Sequence, residues 1–182
     1  PSSVFGKNAP SNKIQIGQIG CGRIARGHDL PGTMQYDMAR VIAVSDVDSK
    51  RMKEGKELVE GYYAKKDIDL EVKMYADYKD MLANPEIDAV IISTPDHWHA
   101  QMCIDAAAAG KHIYVEKAMT REEEETHRMY EAVKNSDIVF QLGHQQRQTE
   151  SHIKAREVIQ AGILGPITLV ETTTNRNDPW GA

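Results

Sequence analysis

The chain has 182 residues, a formal net charge of −5 and 41% hydrophobic residues, the composition of an ordinary globular chain with one well-buried domain and a remainder. It has no apolar run long enough to span a membrane, and its basic residues form no stripe that would bind nucleic acid. The two cysteines, Cys21 and Cys103, predict neither a disulfide framework nor a metal site.

Residues 1–12 are rich in Ser, Pro, Asn and Gly, which predicts a flexible lead-in. A buried strand is predicted over 14–19. The glycine turn at 20–25, Gly-Cys-Gly-Arg-Ile-Ala, then stands where this strand passes into a helix. Such a strand, turn and helix are the context in which a glycine turn binds a dinucleotide.

Each small residue of the glycine turn has a distinct use. Gly20 permits the tight bend, Gly22 lets the backbone approach a pyrophosphate, and Ala25 replaces a third glycine where helix packs on strand. The phosphates would meet the N–H groups and the positive dipole end at the start of the helix, which includes Arg23 and Ile24. The turn therefore predicts a pyrophosphate site.

A second strand, predicted over 39–45, ends at Asp46, from which a carboxylate can hydrogen-bond both hydroxyls of the adenosine ribose. The same carboxylate would repel a 2′-phosphate, which favours NAD over NADP, although Lys50 and Arg51 are close in sequence. The alternative interpretation is a glycine-rich turn followed by a solvated aspartate.

Helices and strands alternate beyond Asp46, which predicts an α/β fold with a doubly wound parallel (Rossmann) sheet over 13–147. In chain order the predicted elements are a helix over 48–61, a strand over 72–75, a helix over 78–83, a strand over 89–93, a helix over 99–109 ended by Gly110, a strand over 112–116, a helix opening near Thr120, and a strand over 139–142.

The helix near Thr120 opens with a predicted capping box formed by Thr120 and Glu123. The acidic run 122–125 complements the helix N-terminus better than it would serve as a metal site. Four positions are predicted to face inward: Thr126, Met129, Tyr130 and Val133.

The last part of the chain, 148–182, is predicted to hold a crossover helix ending near Gly162 and then a long strand over 167–174, rich in β-branched residues. This strand has no predicted partner in the chain. We expect it to be the first strand of a second, α+β substrate domain whose other strands lie beyond Ala182, so that the chain is a fragment.

Polar residues follow three successive strands, at 94–99, 116–118 and 143–147. Ligands of doubly wound sheets bind outside the carboxyl ends of the strands, so these clusters predict a site there. A single histidine in such a place is by default a cap or a surface group. Three clusters at successive strand ends favour a functional role, and the residues predicted on the substrate side are His99, His144 and Arg147.

From Lys13 onward the chain resembles the glucose-fructose oxidoreductase and inositol dehydrogenase family, called Gfo/Idh/MocA. The motifs that carry the resemblance, besides the glycine turn, are Thr-Pro-Asp-His-Trp-His at 94–99, Ala-Gly-Lys-His at 109–112 leading into Glu116-Lys117, and Gly-Ile-Leu-Gly-Pro-Ile at 162–167. The family phrase is usually Glu-Lys-Pro, whereas Ala118 stands here. Family members join such a domain to a larger open sheet, through which they commonly form homo-oligomers.

The resemblance implies that Thr94, Pro95 and His97 line the path of the cofactor and that Glu116 lies near the nicotinamide ribose. It implies that Lys117 is catalytic and holds the substrate hydroxyl, where an ammonium can stabilise a developing alkoxide or share its proton. The alternative for Lys117 is a salt bridge to a neighbouring carboxylate. The acid–base partners of the family come from the substrate domain and are not assigned.

The leading hypothesis is therefore an NAD-dependent oxidoreductase that acts on a carbinol of a sugar or polyol. Two alternatives are an NAD-dependent glycoside hydrolase that uses transient oxidation and a dinucleotide-binding scaffold without turnover. We expect this chain to bind cofactor without turning over. The lead-in resembles residues that follow export signals in some bacterial members of the family, which favours the periplasm over the cytoplasm.

Overall fold

A computed structural model of the protein describes residues 12–172. The chain divides into two compact units, and the division falls between Gly143 and His144. The predicted lead-in over 1–12 lies outside the described residues except for its last position. Among the helices of the described range, none is long and apolar enough to cross a lipid bilayer.

The first unit contains one six-stranded sheet in which all strands are parallel, as predicted. The strand order is β3-β2-β1-β4-β5-β6, so the chain winds outward from β1 and then returns to its other side. The strand order reverses between β1 and β4. Sheets of this kind bind ligands at the carboxyl ends of the strands on either side of such a switch point. The strands are β1 (Ile14–Ile19), β2 (Ala39–Ser45), β3 (Lys73–Tyr75), β4 (Ala89–Ile92), β5 (His112–Glu116) and β6 (Phe140–Gly143).

Helices connect these strands, and the first is irregular because a π-helical turn, Ala25–Asp29, precedes its α-helical part. The α-helices of the first unit are α1 (Leu30–Met34), α2 (Ser49–Ala64), α3 (Tyr78–Leu82), α4 (His99–Ala108) and α5 (Glu123–Lys134).

The core consists of two apolar clusters, one on each face of the sheet. One cluster joins α1 and α2 to the sheet, and the other joins α3, α4 and α5 to it. Along β4, Val90 and Ile92 belong to the second cluster and Ile91 to the first. This alternation is the period of two that a strand covered on both faces requires.

Two local predictions around α5 were wrong. The helix begins at Glu123, and its capping box pairs Glu122 with Glu125, whose carboxylate accepts from the Glu122 N–H at 3.3 Å. The predicted box at Thr120 lies outside the helix, where the Thr120 hydroxyl contacts the Thr126 hydroxyl at 2.5 Å. Tyr130, predicted to face inward, is 56% exposed.

Side chains also tie together the amino-terminal edge of the sheet, opposite the switch point. The ammonium of Lys111, which is buried, donates to the carbonyl oxygens of Asn84 at 2.9 Å and Ile87 at 2.8 Å. The Asp88 carboxylate accepts from the Gln15 N–H at 2.7 Å. These contacts join the segments that lead into β1, β4 and β5.

The second unit contains a short 3₁₀ turn, Gln145–Gln148, and helix α6, Glu150–Gln160. The predicted end of this helix near Gly162 is confirmed, since Gly162 has a φ of +70°. The predicted strand is not formed over 167–172, because these residues have no strand partner in the described part of the chain. Its last two residues, 173–174, lie outside the described range.

Candidate functional site

The glycine turn fits between the ends of two strands. Gly20 has a φ of +84°, and a Cβ there would lie 2.9 Å from the carbonyl oxygen of Ser93, which follows β4. The Gly20 N–H donates to the carbonyl of Ser45 at the end of β2, at 2.8 Å. Both the positive φ and the close backbone approach require glycine.

The outer side of the turn is open. A Cβ on Gly22 would meet no atom within 4 Å, which leaves room for a ligand to approach the backbone. Arg23 and Ile24 are exposed and form the start of the irregular first helix, ahead of its π-helical turn. The first N–H groups of a helix have no partner within the helix. Ala25 is fully buried, so the helix packs closely on the sheet. This arrangement fits a pyrophosphate.

Asp46 follows β2 and reaches back to the glycine turn. One carboxylate oxygen accepts from the Cys21 N–H at 2.7 Å, and the other accepts from the Asp48 N–H at 2.9 Å. A carboxylate has about four acceptor positions, so Asp46 retains capacity for two ribose hydroxyls. The backbone contacts hold the carboxylate beside the turn.

The two basic residues near Asp46 belong to the first turn of α2. Asp48 caps this helix by accepting from the N–H groups of Lys50 at 2.9 Å and Arg51 at 3.2 Å. The side chain of Arg51 also pairs with the Asp48 carboxylate at 3.5 Å. Arg51 therefore already has an anionic partner.

The loop after β4 carries three of the predicted cofactor residues. Thr94 is partly buried and its hydroxyl lies 3.5 Å from the Met102 sulfur. Pro95 precedes a 3₁₀ turn in which the side chain of His97 is half exposed. The ring of His97 lies 6.0 Å from the ring of Trp98, which is also exposed. The loop presents polar and aromatic groups above the switch point.

Glu116 ends β5 and is only 4% exposed. Its carboxylate accepts from the Tyr114 hydroxyl at 3.2 Å. Burial, and then the Glu116 charge, raise the pKa of Tyr114 to about 12, so that this hydroxyl stays a donor. On β6, Gly143 leaves the space that these side chains fill, because a Cβ there would collide with the Tyr114 hydroxyl. Tyr114 was not predicted as part of the site, and Gly143 was predicted only as the first residue of the 143–147 cluster.

Lys117 follows Glu116 and is exposed, as is Ala118, to which it is joined by a cis peptide bond. His99, at the start of α4, is only 1% exposed and contacts the backbone of Ala118. The prediction placed His99 on the substrate side. In the structure its Nδ1 lies 2.6 Å from the Ala118 carbonyl and its Nε2 lies 2.8 Å from the Thr94 carbonyl, so both nitrogens already contact the backbone.

A buried polar chain beneath the glycine turn was also missed. The Gln18 amide donates to the carbonyl of Gly20 at 2.9 Å and to the Ser93 hydroxyl at 3.0 Å. Ser93 in turn donates to the carboxylate of Asp29, from the π-helical turn, at 2.5 Å. The signal was present in the sequence, because Gln18 is a polar residue within a run of apolar β1 residues.

Both thiols are packing groups. Cys21 is fully buried, and burial followed by the Asp46 charge raises its pKa to about 12. A Cβ on Gly55 of α2 would lie 2.9 Å from the Cys21 sulfur, so the helix and the turn are closely packed. Burial likewise raises the pKa of Cys103 to about 12. Neither thiol is activated as a nucleophile.

Two predicted substrate residues belong to the second unit. His144 precedes the 3₁₀ turn, and its carbonyl accepts from the Arg147 N–H at 3.1 Å. In residues 12–172, no group of three His, Cys, Asp or Glu side chains is arranged to hold a metal ion.

The sequence matches the profile of an oxidoreductase family with an NAD-binding Rossmann fold over residues 14–144. The chain belongs to this Gfo/Idh/MocA family. The predicted family and the predicted Rossmann fold are therefore confirmed, and the turn, Asp46 and β4 loop lie in the NAD-binding domain.

Named Gfo/Idh/MocA relatives are oxidoreductases. The chain is 29% identical over 169 residues to an uncharacterized oxidoreductase, YrbE, of Bacillus subtilis, covering 93% of this chain and 46% of the relative. It is 28% identical over 166 residues to a myo-inositol 2-dehydrogenase of Thermotoga maritima, covering 91% and 46%. Thus the chain spans about half the length of these curated relatives.

A similar fold is found in a solved structure of the WlbA dehydrogenase from Bordetella pertussis, in complex with NADH and UDP-GlcNAcA. The match has a TM-score of 0.73 and 26% sequence identity, and it covers 85% of this chain and 41% of that one.

Proposed function

We propose that the protein is an NAD-dependent oxidoreductase that transfers hydride between a carbinol of a sugar or polyol and nicotinamide, and that this chain is its cofactor-binding part. The observation that carries the proposal is the hydrogen bond from the Cys21 N–H to Asp46. It joins the carboxylate suited to a ribose to the turn suited to a pyrophosphate, at the carboxyl ends of the neighbouring strands β1 and β2.

The choice of NAD over NADP rests on the surroundings of Asp46. A 2′-phosphate placed at this carboxylate would meet a like charge, which is destabilising. A cation could offset that repulsion, but Arg51 is paired with Asp48 and also lies in the turn that Asp48 caps. The charge of Asp46 therefore favours two ribose hydroxyls.

Lys117 supplies the proposed chemistry at the substrate. A bound nicotinamide cofactor supplies the hydride acceptor. The exposed ammonium of Lys117, one residue beyond the buried Glu116, can donate a hydrogen bond to a carbinol oxygen and share that proton with the oxygen as negative charge develops there. The polyol and nucleotide-sugar names among the relatives support a carbohydrate-like alcohol as substrate.

The first experiment titrates this chain with NAD and, separately, with NADP in a calorimeter. We expect NAD to bind more tightly. Equal binding, or tighter binding of NADP, would contradict the role of Asp46.

The second experiment assays the full-length gene product on a panel of sugars and polyols by nicotinamide absorbance. We expect Lys117→Met to lower kcat by about 10²- to 10⁴-fold, the usual range for a proton-transferring group, with an unchanged Kd for NAD. Lys134→Met is the matched control, since Lys134 is an exposed cation on α5. No absorbance change on any substrate would sink the dehydrogenase proposal.

A further inference from the structure

His99 links two loops that come from different strand ends. Its Nε2 lies 2.8 Å from the carbonyl of Thr94, which follows β4, and its Nδ1 lies 2.6 Å from the carbonyl of Ala118, which follows β5. The ring is 1% exposed, so water does not compete for these positions. The first loop carries predicted cofactor residues and the second carries Lys117.

The carbonyl contacts of the ring limit where its hydrogen can lie. Carbonyl oxygens only accept hydrogen bonds, and a neutral imidazole has one N–H to donate. The contact at Nδ1 is the shorter of the two and falls below the usual range for N–H···O bonds. A hydrogen on Nδ1 satisfies this contact, and a ring with hydrogens on both nitrogens would satisfy the Nε2 contact with the Thr94 carbonyl as well.

We propose that His99 is a positioning residue whose Nδ1–H holds the Ala118 carbonyl and thereby fixes the backbone of Lys117 relative to the Thr94 loop. The significance of that position for catalysis rests on the proposed function; the hydrogen bond itself does not. Lys117 and Ala118 are both exposed and lie outside any helix or strand. The buried contact from His99 therefore anchors the segment that carries the ammonium.

Two substitutions distinguish the ring's contact with the Ala118 carbonyl from its contact with the Thr94 carbonyl. The amide nitrogen of Asn can take the place of Nδ1, and that of Gln can take the place of Nε2, because the side chains differ in length. His99→Asn keeps a donor for Ala118 and loses the contact with Thr94. His99→Gln does the reverse. His99→Leu fills the space with no donor and serves as the control for packing.

The experiment is nuclear magnetic resonance on this chain. In the wild type we expect Nδ1 of His99 to carry a hydrogen. The ¹⁵N chemical shifts of the ring report this, once the ring has been assigned through the backbone resonances of His99. A neutral ring with the hydrogen on Nε2 alone would overturn the proposal, and this measurement needs no variant to fold.

The second readout is the ¹H–¹⁵N NOE of the Lys117 and Ala118 amides in variants of matched melting temperature. We expect His99→Asn to keep the wild-type values and His99→Gln and His99→Leu to lower them. An equal decrease of these NOE values in His99→Asn and His99→Gln would overturn the proposal.

In the full-length protein we expect His99→Gln to lower kcat about tenfold with the Kd for NAD within about twofold, the scale of one lost hydrogen bond, and His99→Asn to restore it. A Kd that rises in parallel with the loss of kcat would overturn a specific effect on Lys117. If the wild-type full-length protein shows no turnover, the proposed function fails, while the two spectroscopic readouts still decide the role of His99.

Discussion

The Asp46 carboxylate lies 2.7 Å from the amide nitrogen of Cys21, so the residue predicted to bind a ribose also holds the glycine turn in place. Two functions thus meet in one side chain, at the ends of neighbouring parallel strands β1 and β2. Variants of this carboxylate should therefore be compared with a control that removes the same charge close by.

Asp46→Asn should weaken NAD binding by about 10- to 100-fold, because hydrogen bonds to a charged group contribute roughly 1.5–3 kcal/mol. It should also reduce the difference in affinity between NAD and NADP, since the charge that repels a 2′-phosphate is gone. Calorimetric titration of this chain measures both. Asp48→Asn is the control, because Asn retains the helix cap while the same charge is lost two residues away. Equal weakening in the two variants would argue against a specific role for Asp46.

Alanine at the two glycines of the turn should have different effects on stability. Gly20→Ala should lower the melting temperature, because its Cβ would approach Ser93 at 2.9 Å and its φ is positive. Gly22→Ala should leave the melting temperature unchanged or slightly raised, since its Cβ meets no atom. Its methyl group should still weaken NAD binding by filling the space in front of the backbone. Thermal unfolding and titration together distinguish these outcomes, and a Gly22→Ala chain with full NAD affinity would place the phosphates elsewhere.

Alkaline pH should destabilise the chain through its buried thiols. In the folded chain Cys21 and Cys103 stay protonated to about pH 12, whereas their ordinary pKa is 9.0. Above pH 9 the unfolded state releases protons that the folded state retains. The free energy of unfolding should thus fall between pH 9 and 12, by about 1.4 kcal/mol per pH unit for each thiol. Denaturant unfolding across this range measures the slope, and Cys103→Ala should reduce it; an identical slope in that variant would exclude this cause.

Ser93→Ala should destabilise the fold by about 1–3 kcal/mol, because it leaves the buried carboxylate of Asp29 and the amide of Gln18 each without one partner. Denaturant unfolding measures the loss. Ser49→Ala is the control, since Ser49 is an exposed serine at the start of α2 and such surface changes stay within about 0.5 kcal/mol. Matching losses in both variants would mean that the polar chain contributes nothing particular.

The parts of the fold that were predictable are those set by local patterns. The apolar run of β4 predicts a strand buried on both faces, and the structure shows it. Gly20 was recognised because a tight turn after a strand demands a positive φ, which is a property of a few adjacent residues. Asp48 and Gly110 marked one helix start and one helix end for the same reason.

The parts that were missed depend on contacts between distant segments. The partner of His99 is a carbonyl nineteen residues away, on the next strand end, and no spacing rule predicts that pairing. The capping box moved from Thr120 to Glu122 because several acidic residues in a row offer competing helix starts. Tyr130 has the spacing of an inward residue, yet its ring lies exposed with the Lys134 ammonium 5.3 Å from its centre.

The buried ammonium of Lys111, which ties together the segments leading into β4 and β5, lies at the edge of the sheet opposite the glycine turn. These contacts are thus separated, by the length of the strands, from the loops proposed to meet a ligand. Substitutions in those loops leave the contacts of Lys111 intact. This separation lets the loops change ligand specificity while the contacts of Lys111 remain.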